Sequence, residues 1–496
     1  MIPFLVIEPA KNEYRVLKTL RRHQDPRISG LGETLKIYTP GNERISPFRV
    51  NPLEIAPGIS RYEHIENVLA CFTAAFGMPG PVYPLLGEAL EQVYEDFPDP
   101  SEPPVLADLH ITARRVLEMK RYDHETTSNI RAALEVRLGI LTRRAIGQVF
   151  QCRNSIPEMH QLMTTPTILE LSYLPPSPAC LLALFILMLR REYIKISHKP
   201  GGHLQHVLVI EEAHNIVGRD TNAVPSEEIA NPKAFSAEFV SRMLAEDRAS
   251  GCAIIIVDQN PSSVAPQVIK NTTTKLAFRQ TAKDDREEIG ASMLFGEIET
   301  RDIASLNTGQ AFFLTEGYHG PRRIQTIDLN SSLGLGPAPA QEEILALIKD
   351  DGWYVEARES RTVSELARLK EAIDELDDER ARVIRDFASL RASHAHVPAN
   401  PSRTSGHDGR ISSLAARIQT LRERLNSAYD SFLTGPYRLF QAGDLSSCKL
   451  NYPAARELFD LLVRRLKDVT FPDTRALLGM MDDLIRRCAD SELERT

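Results

Sequence analysis

The ten residues His206-Val-Leu-Val-Ile210-Glu211-Glu212-Ala-His-Asn215 combine an uninterrupted apolar run with two adjacent acids at its end. Apolar residues on consecutive positions point to both faces of a strand, so such a run suits a parallel sheet covered on both sides. Two further stretches read the same way. Phe4–Ile7 ends at Glu8-Pro9, and Ala253–Val257 ends at Asp258-Gln259. Thr167–Leu171 adds another strand, and Ala179–Tyr193 supplies a helix before the run that begins at His206. Thr274–Phe278, Ala311–Leu314 and Arg322–Ile327 complete the strand candidates. Strands alternating with helices predict an α/β, doubly wound, mostly parallel sheet over residues 1–330.

The interval between the first two runs is far longer than one crossover helix requires, which predicts a helical insertion from about Arg61 to Arg144. Ile65, Leu69, Phe72 and Phe76 recur there at helical spacing, as do Leu134, Leu138 and Leu141, and both stripes read as core faces. Residues 331–341, rich in Gly, Pro and Ala, read as a linker. From 342 to 496 the chain reads as an α-helical, coiled-coil-like region. Leu366, Leu369, Ile373, Leu376, Val383, Phe387 and Leu390 step by threes and fours, with Arg380 at one core position. Ile411, Leu414, Ile418, Leu421, Leu425, Ala428 and Phe432 repeat the pattern after a polar loop, as an antiparallel hairpin or a pair of oligomer-forming helices would.

Composition excludes little. A formal net charge of -8 and a pI near 6.0 argue against a generally basic surface, so nucleic-acid contact would need a local patch, such as one lining a ring. Six cysteines at long spacings show neither a CxxC pair nor a Cys/His ligand set, which fits a reducing, cytoplasmic compartment. Ala179–Leu189 is too short for a membrane span and is flanked by Pro178 and Arg190, as a buried core helix would be. The start, Met1-Ile-Pro-Phe-Leu-Val-Ile-Glu8, has no secretory-signal pattern.

Open parallel sheets place ligands beyond the carboxyl ends of their strands, where Glu211 and Glu212 stand. In a nucleotide hydrolase, one carboxylate there holds Mg2+, usually through water, and the next orients the attacking water. Glu211 would take the first role and Glu212 the second; acids are also common at exposed strand ends without any such role. Gln259, at the tip of Ala253–Val257, could hydrogen-bond both a γ-phosphate oxygen and the lytic water, or lie in a plain strand–turn junction.

These residues together resemble one family. The stretch Arg242-Met-Leu-Ala-Glu-Asp-Arg248-Ala-Ser-Gly251, leading into the glutamine-tipped strand, resembles the HerA branch of the HerA/FtsK-type P-loop ATPases. Glu211-Glu-Ala-His-Asn215 is similar to that branch's Walker B element. Asn271-Thr-Thr-Thr-Lys-Leu-Ala-Phe-Arg279 resembles the following strand, which carries an arginine in this superfamily. Ile7-Glu-Pro-Ala-Lys-Asn-Glu13-Tyr14 looks like the family's second strand, and Tyr38-Thr-Pro-Gly41 with Ser46-Pro-Phe-Arg-Val-Asn51-Pro52 looks like the stretch after it. The likeness runs, with gaps, from residue 4 to about 327. It implies a RecA-like core, ATP and Mg2+ as cofactors, and a hexameric ring acting on double-stranded DNA as a translocase or helicase, in company with a nuclease or another effector. Arg248 and Arg279 are the candidates to reach a neighbouring subunit's γ-phosphate; either could instead face DNA or solvent. The Glu-Glu-Ala-His string also invites comparison with DEAH-type helicases, but those need a Ser-Ala-Thr-like motif where this chain has Asp258-Gln-Asn-Pro-Ser262.

A phosphate-binding loop reads G-x-x-x-x-G-K-[ST], because successive N–H groups cradle phosphate and the lysine neutralises it. None of the 26 glycines is followed by lysine. In the family that loop and its helix precede the strand that here begins at Phe4, so the expectation is a truncated or split motor whose hydrolysis alone is weak. The alternative expectation is a non-catalytic assembly or scaffold subunit of a multisubunit ATPase or defence complex.

Overall fold

Alternate residues of the first strand enter two different cores, which is why its sequence is apolar without interruption. Leu5 and Ile7 belong to the large core on one face, and Val6 packs with Ile37, Ile168, Ile344 and Ile348 on the other. The structure, a computed structural model, describes residues 2–357 apart from 77, 79, 121, 151, 198–202, 220–231, 350, 352, 353, 355 and 356. Met1–Ala357 forms one compact unit and Arg358–Thr496 another, so the paired heptad helices lie outside the described residues.

The strands are β1 (Phe4–Glu8), β2 (Lys36–Tyr38), β3 (Thr167–Glu170), β4 (His206–Ile210) and β5 (Cys252–Ile256), all parallel, in the order β2-β3-β1-β4-β5. The mostly parallel sheet with helices matches the predicted α/β class. Two details differ. The short strand β2 is absent from the sequence reading, because three residues leave no periodicity to detect. The last three candidates, now β6 (Lys275–Ala277), β7 (Gln310–Leu314) and β8 (Arg322–Gln325), do not extend the parallel sheet; they form a separate antiparallel sheet in the order β6-β7-β8. Most of their residues are partly or fully exposed, as in a sheet with a solvated face.

The large core is held by the helix Pro176–Ser197, buried continuously from Leu181 to Leu189, against the helix Arg61–Phe76. Phe185 sits edge-on to both Phe72 and Phe150, with centroids 5.4 and 5.7 Å apart, which joins the sheet-covering helix to the intervening helical segment. That segment consists of helices Arg61–Phe76, Val82–Asp96, Leu106–Met119 and His124–Arg137, followed by a shorter one over Arg144–Phe150. Several residues singled out in the sequence have structural duties here. Arg49 is fully buried and makes a two-pronged ion pair with Glu43 at 2.7 and 2.5 Å. Asn51 donates to the carbonyls of Pro104 and Arg153, tying the loop after β2 to the helical segment. The stretch 331–341 falls inside the first unit, which continues through the helix Gln341–Ile348 into the second core.

Gly251 sets the entry to β5. Its φ is +68°, and a Cβ there would come within 2.7 Å of the His203 carbonyl, so only glycine makes this turn without displacement.

Arg190, on the sheet-covering helix, is fully buried and ion-paired with Asp247 on the helix Pro232–Ala249. Two of its guanidinium nitrogens, Nε and Nη2, have no other partner among the described residues, so Asp247 carries its neutralisation. Removing one member of a buried pair strands the other charge, at about 3–5 kcal/mol. Asp247→Ala is therefore expected to lower the denaturation midpoint strongly, and Arg190→Met with Asp247→Leu to recover much of the loss. A midpoint unmoved by Asp247→Ala would show that the pair does not hold the two helices.

Candidate functional site

Four neighbouring strands end in carboxylates at one rim of the parallel sheet: Glu170 closing β3, Glu8 closing β1, Glu211 and Glu212 after β4, and Asp258 after β5. The register places Glu8 directly beside Glu170, and the Glu211 N–H bonds the Ile7 carbonyl at 3.0 Å, so this rim is built by the sheet itself.

Each acid has a different environment. Glu170 is buried and takes both prongs of Arg15, at 2.8 and 2.5 Å, and this raises the guanidinium's already high pKa. Glu211 accepts a short hydrogen bond from the Tyr14 hydroxyl, and burial, followed by that bond, pushes the phenol up. Glu212 accepts from Gln259 Nε2 at 2.7 Å, with Lys11 Nζ 3.8 Å away. Asp258 accepts from both the backbone N–H of His214, at 2.7 Å, and its ring Nδ1, at 2.9 Å.

Glu212 has an unusual backbone. Its φ is +44°, a left-handed conformation that costs a non-glycine residue about 1–2 kcal/mol. The turn is held by the Asn215 N–H bonding the Glu212 carbonyl at 2.9 Å, and by the Ala213 N–H on the Val257 carbonyl at 3.2 Å. Together these present the Glu212 side chain toward the end of β5.

Glu212, His214 and Asp258 bring one donor atom each within 4.8 Å of one another. Two carboxylates and an imidazole can together hold a divalent cation, while the Glu211 carboxylate, bonded by Tyr14, is not among these three. The donors therefore fit a metal. A triphosphate is another matter, since no glycine–lysine pair exists in the chain to cradle it.

Of the sequence-derived candidates, the structure unites Glu211, Glu212 and Gln259. Gln280 Nε2 reaches the Gln259 carbonyl at 3.3 Å, which brings the neighbouring residue Arg279, exposed and without an ion pair among the described residues, to the same rim. Arg248 is elsewhere. It ends the helix that precedes β5, at the sheet's opposite edge, exposed and paired with Glu316 at 3.2 Å. Sequence reading assigned no chemistry to Glu8, Lys11, Tyr14, His214 or Asp258. Lys11 and Tyr14 lie far along the chain from Glu211, so only the pairing of β1 with β4 brings them together.

No protein-family model matches the chain. Over 127 residues it is 26% identical to the DNA double-strand break repair helicase HerA of Sulfurisphaera tokodaii, covering 25% of this chain and 23% of that protein. The HerA of Sulfolobus acidocaldarius is 26% identical over 130 residues, covering 26% and 24%. This chain is similar to HerA. The match spans under a quarter of the length of each of these relatives. Among solved structures, VirB4 of Thermoanaerobacter pseudethanolicus aligns over 66% of this chain and 83% of its own, at 15% identity and a TM-score of 0.47. No helix among the described residues is long and apolar enough to cross a membrane.

Glu8 is a buried carboxyl with no cation paired to it among the described residues. Its Oε1 accepts from the Glu13 N–H at 2.6 Å, while Oε2 has no partner among the described residues. Burial, with the charges of Glu170 and Glu211 adding to it, pushes this carboxyl from 4.5 to about 7. The folded state therefore keeps a proton that the unfolded chain releases. This contribution to stability is complete below the unfolded pKa and is lost as pH rises through the folded one. Glu8→Gln, which cannot ionise, should match the parent near pH 4.5 and gain on it until about pH 7, by about 1–3 kcal/mol. Parallel stability profiles for the two proteins across that window would show that Glu8 does not titrate there.

Proposed function

We propose that this chain is the carboxylate-bearing portion of a HerA-like, ATP-dependent motor that moves double-stranded DNA through a homo-oligomeric ring. The observation that carries the reading is the Glu211–Glu212 pair at the carboxyl end of β4, with Gln259 bonded to Glu212 at 2.7 Å. The similarity to HerA supports it.

In this reading Glu211 is the residue that would hold Mg2+, which supplies charge neutralisation at the transferred phosphoryl group. Glu212, bent over the rim by its left-handed turn, orients the attacking water through its carboxylate. Gln259 has a single side-chain amide, so it can satisfy Glu212 or turn toward a γ-phosphate. When it turns, Glu212 is freed to accept a hydrogen bond from water, which couples the nucleotide's presence to activation of the base. Arg279, exposed and next to Gln280, would act at the rim. Arg248, at the opposite edge, could act only on a neighbouring subunit or on another ligand. DNA contact would be sequence-independent and weakened by salt.

The chain supplies no phosphate cradle, so the proposal includes a second element, a glycine-rich loop with lysine contributed from outside these residues. A second reading rests on that same lack: a non-catalytic assembly subunit that lends its acids to a complete ATPase. A self-assembled ring in native mass spectrometry supports the motor, and assembly only alongside a complete ATPase supports the subunit.

The chain alone is expected to show little or no ATP hydrolysis. Joined to a G-x-x-x-x-G-K-[ST] element, it should hydrolyse ATP faster in the presence of duplex DNA, and Glu212→Gln should then lower turnover by about 100-fold or more. Indifference to DNA would sink the motor reading. Robust turnover by the chain alone that Glu212→Gln abolishes would remove the need for an outside loop.

A further inference from the structure

The two oxygens of the Glu212 carboxylate face different neighbours. Oε1 accepts from Gln259 and lies near Lys11, whereas Oε2 lies 3.7 Å from the ring Nδ1 of His214. Asp258 divides in the same way. Its Oδ1 accepts from the Asn260 N–H at 2.7 Å, and its Oδ2 meets both the His214 backbone N–H and the same Nδ1. One ring nitrogen therefore has two carboxylate oxygens as neighbours, each on a carboxylate whose other oxygen is anchored. The roles given above to Glu211, Glu212 and Gln259 use neither His214 nor Asp258.

We propose that Glu212 Oε2, His214 Nδ1 and Asp258 Oδ2 form a Zn2+ site that Mg2+ does not fill, and that its occupation withdraws Glu212 from water. A tetrahedral zinc ion lies about 2.0–2.2 Å from nitrogen and oxygen ligands, which sets those ligands roughly 3.4 Å apart. The separations of 3.7 and 2.9 Å bracket that spacing, and the three residues bring their donors within 4.8 Å of one another, so side-chain rotation closes the site. Imidazole suits zinc, whereas Mg2+ takes oxygen ligands and gives up its water reluctantly. Gln259 and the Asn260 N–H hold the two carboxylates from behind, as the outer partners of metal ligands do. The His214 side chain is 31% exposed, against 12% for Glu212 and 6% for Asp258, so the ion enters on the side of the ring, where water supplies the fourth ligand.

Coordination uses the neutral ring with its proton on Nε2, and the zinc ion takes the place of the proton that Nδ1 now gives Asp258. Zinc binding rests on the donor set alone. The inhibition that follows rests on the reading of Glu212 as the group that orients the attacking water.

Zinc K-edge absorption on the full chain with one equivalent of Zn2+, in millimolar Mg2+ and without nucleotide, tests the site. A shell of nitrogen and oxygen at about 2.0–2.2 Å is expected, without sulfur. In calorimetry His214→Ala and Asp258→Asn should each weaken Zn2+ binding about tenfold or more, while His160→Ala, on the short helix before β3, should bind as the parent does. Metal-free circular dichroism matching the parent reports an intact fold, and the absorption spectrum of the parent decides the matter if a variant does not fold. A zinc–sulfur shell near about 2.3 Å, displacement of the zinc by Mg2+, or full affinity in both rim variants overturns the proposal. In the chain joined to a G-x-x-x-x-G-K-[ST] element, Zn2+ should stop ATP hydrolysis, and His214→Ala should raise the half-inhibiting concentration about tenfold. Zinc held at the rim with hydrolysis undiminished would leave the site standing and refute the role given to Glu212.

Discussion

Five carboxylates crowded onto one edge of a parallel sheet must each be stabilised, and the arrangement of the first unit follows from how that is done. Like charges in neighbouring strands repel in a low-dielectric setting. Arg15 neutralises Glu170 outright, which requires the turn after β1 to fold back over β3. Tyr14 supplies Glu211 with a hydrogen bond from the same turn. Glu8, between them, keeps its proton into the neutral range. Glu212 alone is held by groups able to swing away, a lysine and an amide on two different loops.

That division separates scaffold from chemistry. The buried ion pair at Glu170 fixes the rim, because breaking it would leave a charge without water or partner. Glu212, by contrast, keeps partners that can be exchanged. The sheet-covering helix and the aromatic contacts around Phe185 supply a rigid base beneath them.

Much of this is legible in the sequence, for identifiable reasons. Uninterrupted apolar runs such as Val207–Ile210 are read as strands covered on both faces, and an acid or amide at the end of such a run as the sheet's rim. Glu211, Glu212 and Gln259 are singled out that way, and the structure bonds Gln259 to Glu212. Tyr14, Lys11 and Glu8 are not, since their importance comes from β1 lying beside β4, a pairing between residues far apart in the chain. The fate of β6, β7 and β8 is likewise hidden: local pattern identifies a strand but does not say which sheet it joins.

The backbone of Glu212 has a further implication. Asparagine and aspartate tolerate positive φ better than glutamate does, and both would relieve the turn after β4. The chain nevertheless places there the longer side chain, at the less comfortable conformation. One additional methylene is what lets the carboxylate span from β4 to the amide of Gln259 beyond the end of β5. Reach, and not charge alone, is what joins the end of β4 to the loop after β5 at this rim.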